Sequence, residues 1–313
     1  MSEVFRSSGD LLADRRYDYA MAARRDGDLA ASADLIAQAL EIAPGWAAGW
    51  FALGEVERDR GHREAAIAAF RAAADHDLKD ALGARLMLAR LGVDTGDGGE
   101  LAAMSPAYVA TLFDQYAPRF DWALREKLAY RGPEILVEAV GRATAAAGRP
   151  FRFRRMFDLG CGTGLAAEAF APHADAIDGV DLSARMVEIA RAKRLYASLE
   201  AGDLTAFLDG RAAGAADLVV AADVFVYCAD LKPVLAAAAR ALEPQGLIAF
   251  TVETHDGEGV VLGAGLRYGH ARAHLETLLA AAPFRVLVLE PASSRHEGGR
   301  PVPGLVAVAV RLG

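Results

Sequence analysis

Along residues 150–313, short apolar runs alternate with stretches whose apolar positions recur at helical spacing. Met156-Phe157-Asp158-Leu159, Ala176-Ile177-Asp178-Gly179-Val180-Asp181, Asp217 to Ala222 and Leu247 to Glu253 are four such runs, and a shorter one closes at Glu200-Ala201. Between them, Leu165–Phe170, Thr205–Asp209 and Lys232–Leu242 read as helices. Buried strands alternating with helices predict βα units and a parallel sheet. A helix near 270–281 and strands near 284–290 and 303–311 complete the pattern. Residues 10–92 differ: they are alanine-rich and helical throughout.

The first apolar run leads directly into Gly160-Cys161-Gly162-Thr163-Gly164, three glycines at alternate positions. Glycine reaches positive φ and has no side chain, so the backbone turns tightly and a ligand can approach it. Strand, glycine turn and helix open a nucleotide-binding βαβ unit. A dinucleotide fingerprint requires Gly or Ala three places after the second glycine, at the helix start, where Leu165 stands. Asp181, closing the second run, can accept both ribose hydroxyls of an adenosyl group, a role that also suits a nicotinamide dinucleotide.

The acid–x–Gly–x–Gly–x–Gly pattern from Asp158 to Gly164 resembles motif I of the class I S-adenosylmethionine-dependent methyltransferases. Leu112-Phe113-Asp114-Gln115-Tyr116-Ala117-Pro118-Arg119-Phe120-Asp121 resembles a segment that, in small-molecule members, forms a lid over the methionine end of the cofactor. Phe113, Tyr116 and Phe120 are also at the spacing of core aromatics, and Tyr116 is the lid candidate. Asp203 stands where the family places an acid for the adenine amino group, with the Leu204 backbone beside the ring, and it also suits a helix N-cap. Ala222 and Asp223, after the fourth run, match the motif beside the transferable methyl group, and Tyr227 would line the substrate side. Glu243-Pro244-Gln245-Gly246 resembles the family's proline–glycine turn with Gln245 replacing a glycine.

The resemblance, covering residues 105–313, implies a Rossmann-like seven-stranded methyltransferase sheet whose last two strands form an antiparallel hairpin. It implies S-adenosylmethionine as cofactor, with S-adenosylhomocysteine as product. Its cofactor-binding set here is Tyr116, Asp158, Gly160, Cys161, Gly162, Gly164, Asp181, Leu182, Met186, Asp203, Leu204, Ala222 and Asp223. Residues after the fifth strand build the acceptor pocket in this family. Arg267, Tyr268 and Arg295 are expected to bind substrate, and the two guanidinium groups would suit an anionic acceptor. Tyr227, His255 and His270 are the candidates for catalysis, with a histidine able to accept the proton of a neutral nucleophile. Displacement at a sulfonium methyl needs mainly alignment, which supplies on the order of 7–11 kcal/mol.

In residues 10–92 a period of 34 aligns Gly27 with Gly61, Ile36 with Phe70 and Ala39 with Ala73. Trp50, Leu53, Gly54, Ala66, Phe70 and Ala73 have the spacing of a tetratricopeptide repeat. The expected organisation is an all-α repeat domain over 1–92, with about two repeats and a capping helix. A linker follows over 93–104, then the methyltransferase domain over 105–313. The array would offer a surface to a protein or peptide.

The remaining features bound the function. A net charge of −8 without a basic stripe argues against nucleic acid. No apolar stretch has membrane length and the start is not a signal peptide, so a cytoplasmic protein is expected. Cys161 and Cys228 share no metal-ligand spacing, and no metal is expected. The reading is a methyltransferase acting at oxygen of a small molecule. Its alternatives are a protein methyltransferase whose repeats dock the substrate, and an interaction protein that binds cofactor without turnover.

Overall fold

The computed structural model describes residues 7–93, 104–122, 124, 126 and 128–313. Two compact units divide the chain, Met1–Thr111 and Leu112–Gly313, and the division falls inside helix α6, Pro106–Tyr116. Most of the linker expected at 93–104 lies outside the described residues. No helix among the described residues is long and apolar enough to cross a membrane.

The first unit contains α1 (Leu11–Arg25), α2 (Leu29–Ile42), α3 (Ala47–Asp59), α4 (Arg63–His76) and α5 (Ala84–Arg90). Asp10 and Asp28 cap α1 and α2 by accepting backbone N–H groups that have no partner within the helix. Gly27 and Gly61, 34 residues apart, both take left-handed φ where α1 and α3 stop. The helices pack in sequence, α1 on α2, α2 on α3, α3 on α4 and α4 on α5. Phe70 lies against Gly54 so closely that a Cβ there would be 2.7 Å from its ring. Trp46 meets the edge of Tyr17 at 5.0 Å between ring centroids.

The second unit is a sheet with helices on both faces. After α7 (Phe120–Trp122) and α8 (Gly132–Ala146), the parallel strands are β1 (Met156–Leu159), β2 (Ile177–Asp181), β3 (Ser198–Ala201), β4 (Ala216–Ala221) and β5 (Leu242–Glu253). Helices α9 (Leu165–Phe170), α10 (Ala184–Ala192), α11 (Leu204–Asp209) and α12 (Lys232–Ala241) connect them. A small hairpin, β6 (Val260–Leu262) and β7 (Tyr268–His270), pairs at the end of β5. The chain finishes with α13 (Arg272–Ala281), β8 (Phe284–Pro291), the two-residue strands β9 (His296–Glu297) and β10 (Arg300–Pro301), and β11 (Gly304–Arg311). The strand order is β3-β2-β1-β4-β5-β11-β8, with β11 antiparallel to both neighbours. Every residue of β1 and β4 is buried, as a parallel sheet covered on both faces requires. One apolar cluster centres on Phe157, Leu235 and Phe250, the other on Val140, Phe170 and Val308. The order reverses between β1 and β4, which opens a crevice beyond their C-terminal ends, where ligands bind in open α/β sheets.

Two local features depart from the sequence reading. Residues 260–270 form a hairpin whose three-residue strands are too short to show a period. Strand β5 follows α12 at once, five residues before the apolar run that announced it. Gln245 holds φ at 67° in that turn, the left-handed conformation that glycine adopts without steric cost.

Candidate active site

The site grows from the turn after β1. Cys161 donates its N–H to Val180 O (2.9 Å) and Gly164 donates to Cys161 O (2.8 Å), folding the turn back on itself. Gly160, Gly162 and Gly164 all have positive φ. A Cβ on Gly160 would stand 2.5 Å from Val224 Cγ2, so only glycine fits beside the exit of β4. Among the described residues, a Cβ on Gly162 would meet only Phe120 Cε1 within 4 Å, in ordinary van der Waals contact at 3.6 Å.

Asp181 ends β2 beside this turn. Its carboxylate accepts from Gly162 N (2.9 Å) and Ser183 N (2.8 Å). Burial raises its pKa, and the two backbone donors oppose that rise. Asp158 is only 1% exposed, and the Tyr196 hydroxyl donates to its Oδ2 (2.7 Å). Burial lifts the Asp158 carboxyl to about 7; the Tyr196 hydrogen bond resists this and Asp181 adds to it. Tyr196 also accounts for two glycines, since a Cβ on Gly179 would be 2.7 Å from its ring and one on Gly164 3.2 Å. Cys161 is buried, and its thiol titrates well above the usual range. Met186 is fully buried, and its N–H donates to Ser183 Oγ (3.1 Å). Leu182 is half-buried. Asp203 is exposed and caps α11 through Thr205 N and Ala206 N, both at 2.9 Å, while Leu204 packs on the core.

The segment ahead of the domain meets the crevice differently from expectation. Tyr116 is 41% exposed. Phe113 and Phe120 pack edge to face at 5.9 Å, and Phe113 packs on Tyr227 at 5.2 Å. The α-helical period does not extend through all three aromatics, because Ala117–Arg119 wind as a 3-10 turn around Pro118. Asp114 accepts from Ser183 Oγ (2.5 Å), and Asp121 accepts from Thr163 Oγ1 and Lys193 Nζ (3.2 Å).

A charged network occupies the β4–β5 side. Asp223 sits at φ 56°. Its Oδ1 accepts from Thr251 Oγ1 (2.7 Å), and its Oδ2 accepts from Ser294 Oγ (2.7 Å) and Arg295 Nη1 (3.0 Å). Arg295 is 3% exposed and also donates to Glu253 and to Glu297 (3.2 Å). Arg267 donates to Glu297 (2.5 Å) and to the Tyr227 hydroxyl (3.2 Å). Both guanidinium groups expected at an anionic acceptor are thus turned to the chain's own carboxylates. Tyr268 is fully buried, and Ala222 packs against the second core cluster.

The histidines split. His270 is fully buried with Nε2 against Phe225 O (3.2 Å), which assigns its proton to Nε2 and leaves Nδ1 buried without a partner. Burial lowers its pKa to about 4, so the ring is neutral at pH 7. His255 accepts from Gly257 N at Nδ1 (3.0 Å), and its Nε2 is buried without a partner. Among the described residues no group of three or more His, Cys, Asp or Glu side chains is arranged to hold a metal.

Several contributors escaped the sequence reading. Tyr196 belongs to no motif and reaches Asp158 from the loop before β3. Asp114 and Asp121 were visible as the two acids of the aromatic segment, but their partners lie 42 to 72 residues away. Ser183, Thr163 and Glu253 carried no signal of their own.

Residues 157–250 match the methyltransferase domain family. The ubiquinone biosynthesis O-methyltransferase of Thiobacillus denitrificans is 32% identical over 117 residues, which are 36% of this chain and 50% of that protein. Its namesake in Idiomarina loihiensis is 30% identical over 117 residues, 35% of this chain and 46% of that protein. The chain therefore spans about half the length of these relatives. Among solved structures, the [4+2]-cyclase SpnF superposes with a TM-score of 0.54 at 20% identity, covering 67% of this chain and 98% of that one. That likeness concerns the fold and leaves the reaction open. With the glycine turn, the acid closing β2 and the strand order, these matches identify a class I S-adenosylmethionine-dependent methyltransferase domain in this chain.

Proposed function

We propose that the protein methylates a hydroxyl group of a small molecule. The observation that carries the cofactor half of this reading is the Asp181 carboxylate, tied to Gly162 N and Ser183 N beside a turn of three glycines at positive φ. Asp181 would take the ribose hydroxyls, Asp203 and Leu204 the adenine, and the Gly160–Gly164 turn with Asp158 the amino-acid tail. When bound, S-adenosylmethionine supplies an electrophilic methyl group on a sulfonium sulfur. Oxygen as the methylated atom is supported by the two O-methyltransferases that match the domain.

The acceptor side is formed by Tyr227, whose hydroxyl accepts a hydrogen bond from Arg267 and keeps its own proton for a ligand oxygen. Phe113 packs against the same ring, giving this wall an aromatic face. His255, whose Nδ1 accepts from Gly257 N, carries the proton of its neutral ring on the buried Nε2 and would offer it to a ligand oxygen; His270 instead serves as a neutral support for the Phe225 turn. We further assign the first unit to tetratricopeptide repeats that present a surface to a protein or peptide, in a cytoplasmic protein.

The test is calorimetric titration with S-adenosylmethionine, S-adenosylhomocysteine and NAD, followed by transfer of labelled methyl to hydroxylated metabolites. Micromolar binding of the first two and label on oxygen are expected. Binding of NAD alone would overturn the reading. Cofactor binding with no transfer to metabolites or to protein would favour the interaction protein.

A further inference from the structure

The segment ahead of α8 contains the dipeptide Phe-Asp twice, seven residues apart, as Phe113-Asp114 and Phe120-Asp121. In each copy the aromatic ring packs in the crevice and the acid reaches the cofactor cradle. Phe120 lies over Gly162 and touches Phe113, which touches Tyr227. Asp121 accepts from Thr163 Oγ1, inside the glycine turn, and from Lys193 Nζ, which also pairs with Glu168 (2.7 Å). Asp114 accepts from Ser183 Oγ (2.5 Å), and its backbone carbonyl accepts from Arg185 Nη1 (3.5 Å).

Ser183 is the junction. Its N–H donates to Asp181 Oδ1, its hydroxyl donates to Asp114, and its oxygen accepts from Met186 N to cap α10. Asp181 in turn holds Gly162 N. One acid of the segment is therefore one residue removed from the carboxylate that would meet the ribose, and the other acts on the turn itself.

We propose that Asp114 and Asp121 are positioning residues for the cofactor, with divided roles: Asp114 orients the ribose end through Ser183 and Asp181, and Asp121 the amino-acid end through Thr163. The inference rests on the cofactor reading above. With the ribose on Asp181, the glycine turn that contains Thr163 is the part of the cradle left for the amino-acid tail. A hydrogen bond to an ionised group contributes more than a neutral one, so loss of either acid has a measurable effect.

The experiment compares two ligands by calorimetry on the full chain: S-adenosylhomocysteine, which carries both ends, and 5′-methylthioadenosine, which lacks the amino-acid end. Asp114→Ala is expected to weaken both by about tenfold. Asp121→Ala is expected to weaken S-adenosylhomocysteine by about fivefold and 5′-methylthioadenosine by less than about twofold. Asp114→Asn keeps an oxygen for the Ser183 hydroxyl and restores binding. Thr163→Val removes the donor from the other side and reproduces the Asp121→Ala pattern even if that variant folds poorly. Equal losses for the two ligands in both alanine variants would overturn the division, and unchanged affinities would overturn the role. Wild-type protein that binds neither ligand would remove the cofactor reading and this inference with it.

Discussion

The two ends of the crevice treat buried acids in opposite ways. On the β1–β2 side, Asp158 and Asp181 are desolvated, and among the described residues neither is paired with an arginine or lysine. A tyrosine hydroxyl and backbone N–H groups hold them, and both pKa values rise. On the β4–β5 side, Asp223, Glu253 and Glu297 surround Arg295 and Arg267, so two cations are matched by three carboxylates within the protein. Burial raises the free energy of an isolated charge and is offset only where an opposite charge is held in good geometry. The first end therefore keeps its electrostatic demand for a ligand, which suits a cationic cofactor. The second end has met that demand internally, and in the proposed function recognition there would fall to Tyr227, Phe113 and hydrogen bonds rather than to free arginines.

Breaking the self-sufficient end should have the largest effect. Arg295→Met removes the cation from Asp223 and the nearer one from Glu253, while Arg267 still holds Glu297, and a loss of about 3–5 kcal/mol in unfolding free energy is expected by denaturant titration. A loss under about 1 kcal/mol would mean that the network carries little charge burial.

The opposite end should respond with the opposite sign. The folded Asp158 carboxyl titrates near 7, above its unfolded value of 3.8, so the folded state binds that proton more tightly. The resulting stabilisation is complete below about pH 4 and is lost as pH rises through about 7. Asp158→Asn should therefore raise the stability of the ligand-free protein at pH 8, by on the order of 2 kcal/mol, and do little at pH 4. The same variant should bind S-adenosylmethionine more weakly. Equal stability of the two proteins at pH 8 would show that Asp158 carries no uncompensated charge.

The smallest expected change sharpens the comparison at a single carboxylate. Asp181→Ala should lower affinity for S-adenosylmethionine at least tenfold, about 1.4 kcal/mol, while the melting temperature stays within a few degrees. A folded variant with wild-type affinity would take the ribose away from this residue.

Much of the cofactor side was legible because its chemistry is local. Three glycines at alternate positions and an apolar run closing on Asp181 are contiguous signals, and each reflects a backbone requirement that no distant residue changes. The helical character of residues 10–92 was legible for the same reason, with Gly27 and Gly61 marking helix ends one period apart. The β4–β5 side was less legible in the sequence. Arg295 looked like a free cation because its partners lie 2, 42 and 72 residues away in sequence.

The sequence by itself determined the alternation of strands and helices, the tight turn after β1, and the acids that close β2 and precede α11. Those depend on backbone conformation, hydrophobic period and capping, which act over a few residues. Only the tertiary structure decided which buried charges meet an opposite charge inside the protein and which are held by hydrogen bonds alone. It brought Tyr196 to Asp158, the segment acids to Ser183 and Thr163, and three carboxylates to Arg295. Desolvation and pairing depend on distances in space, and the fold sets those distances between residues far apart along the chain.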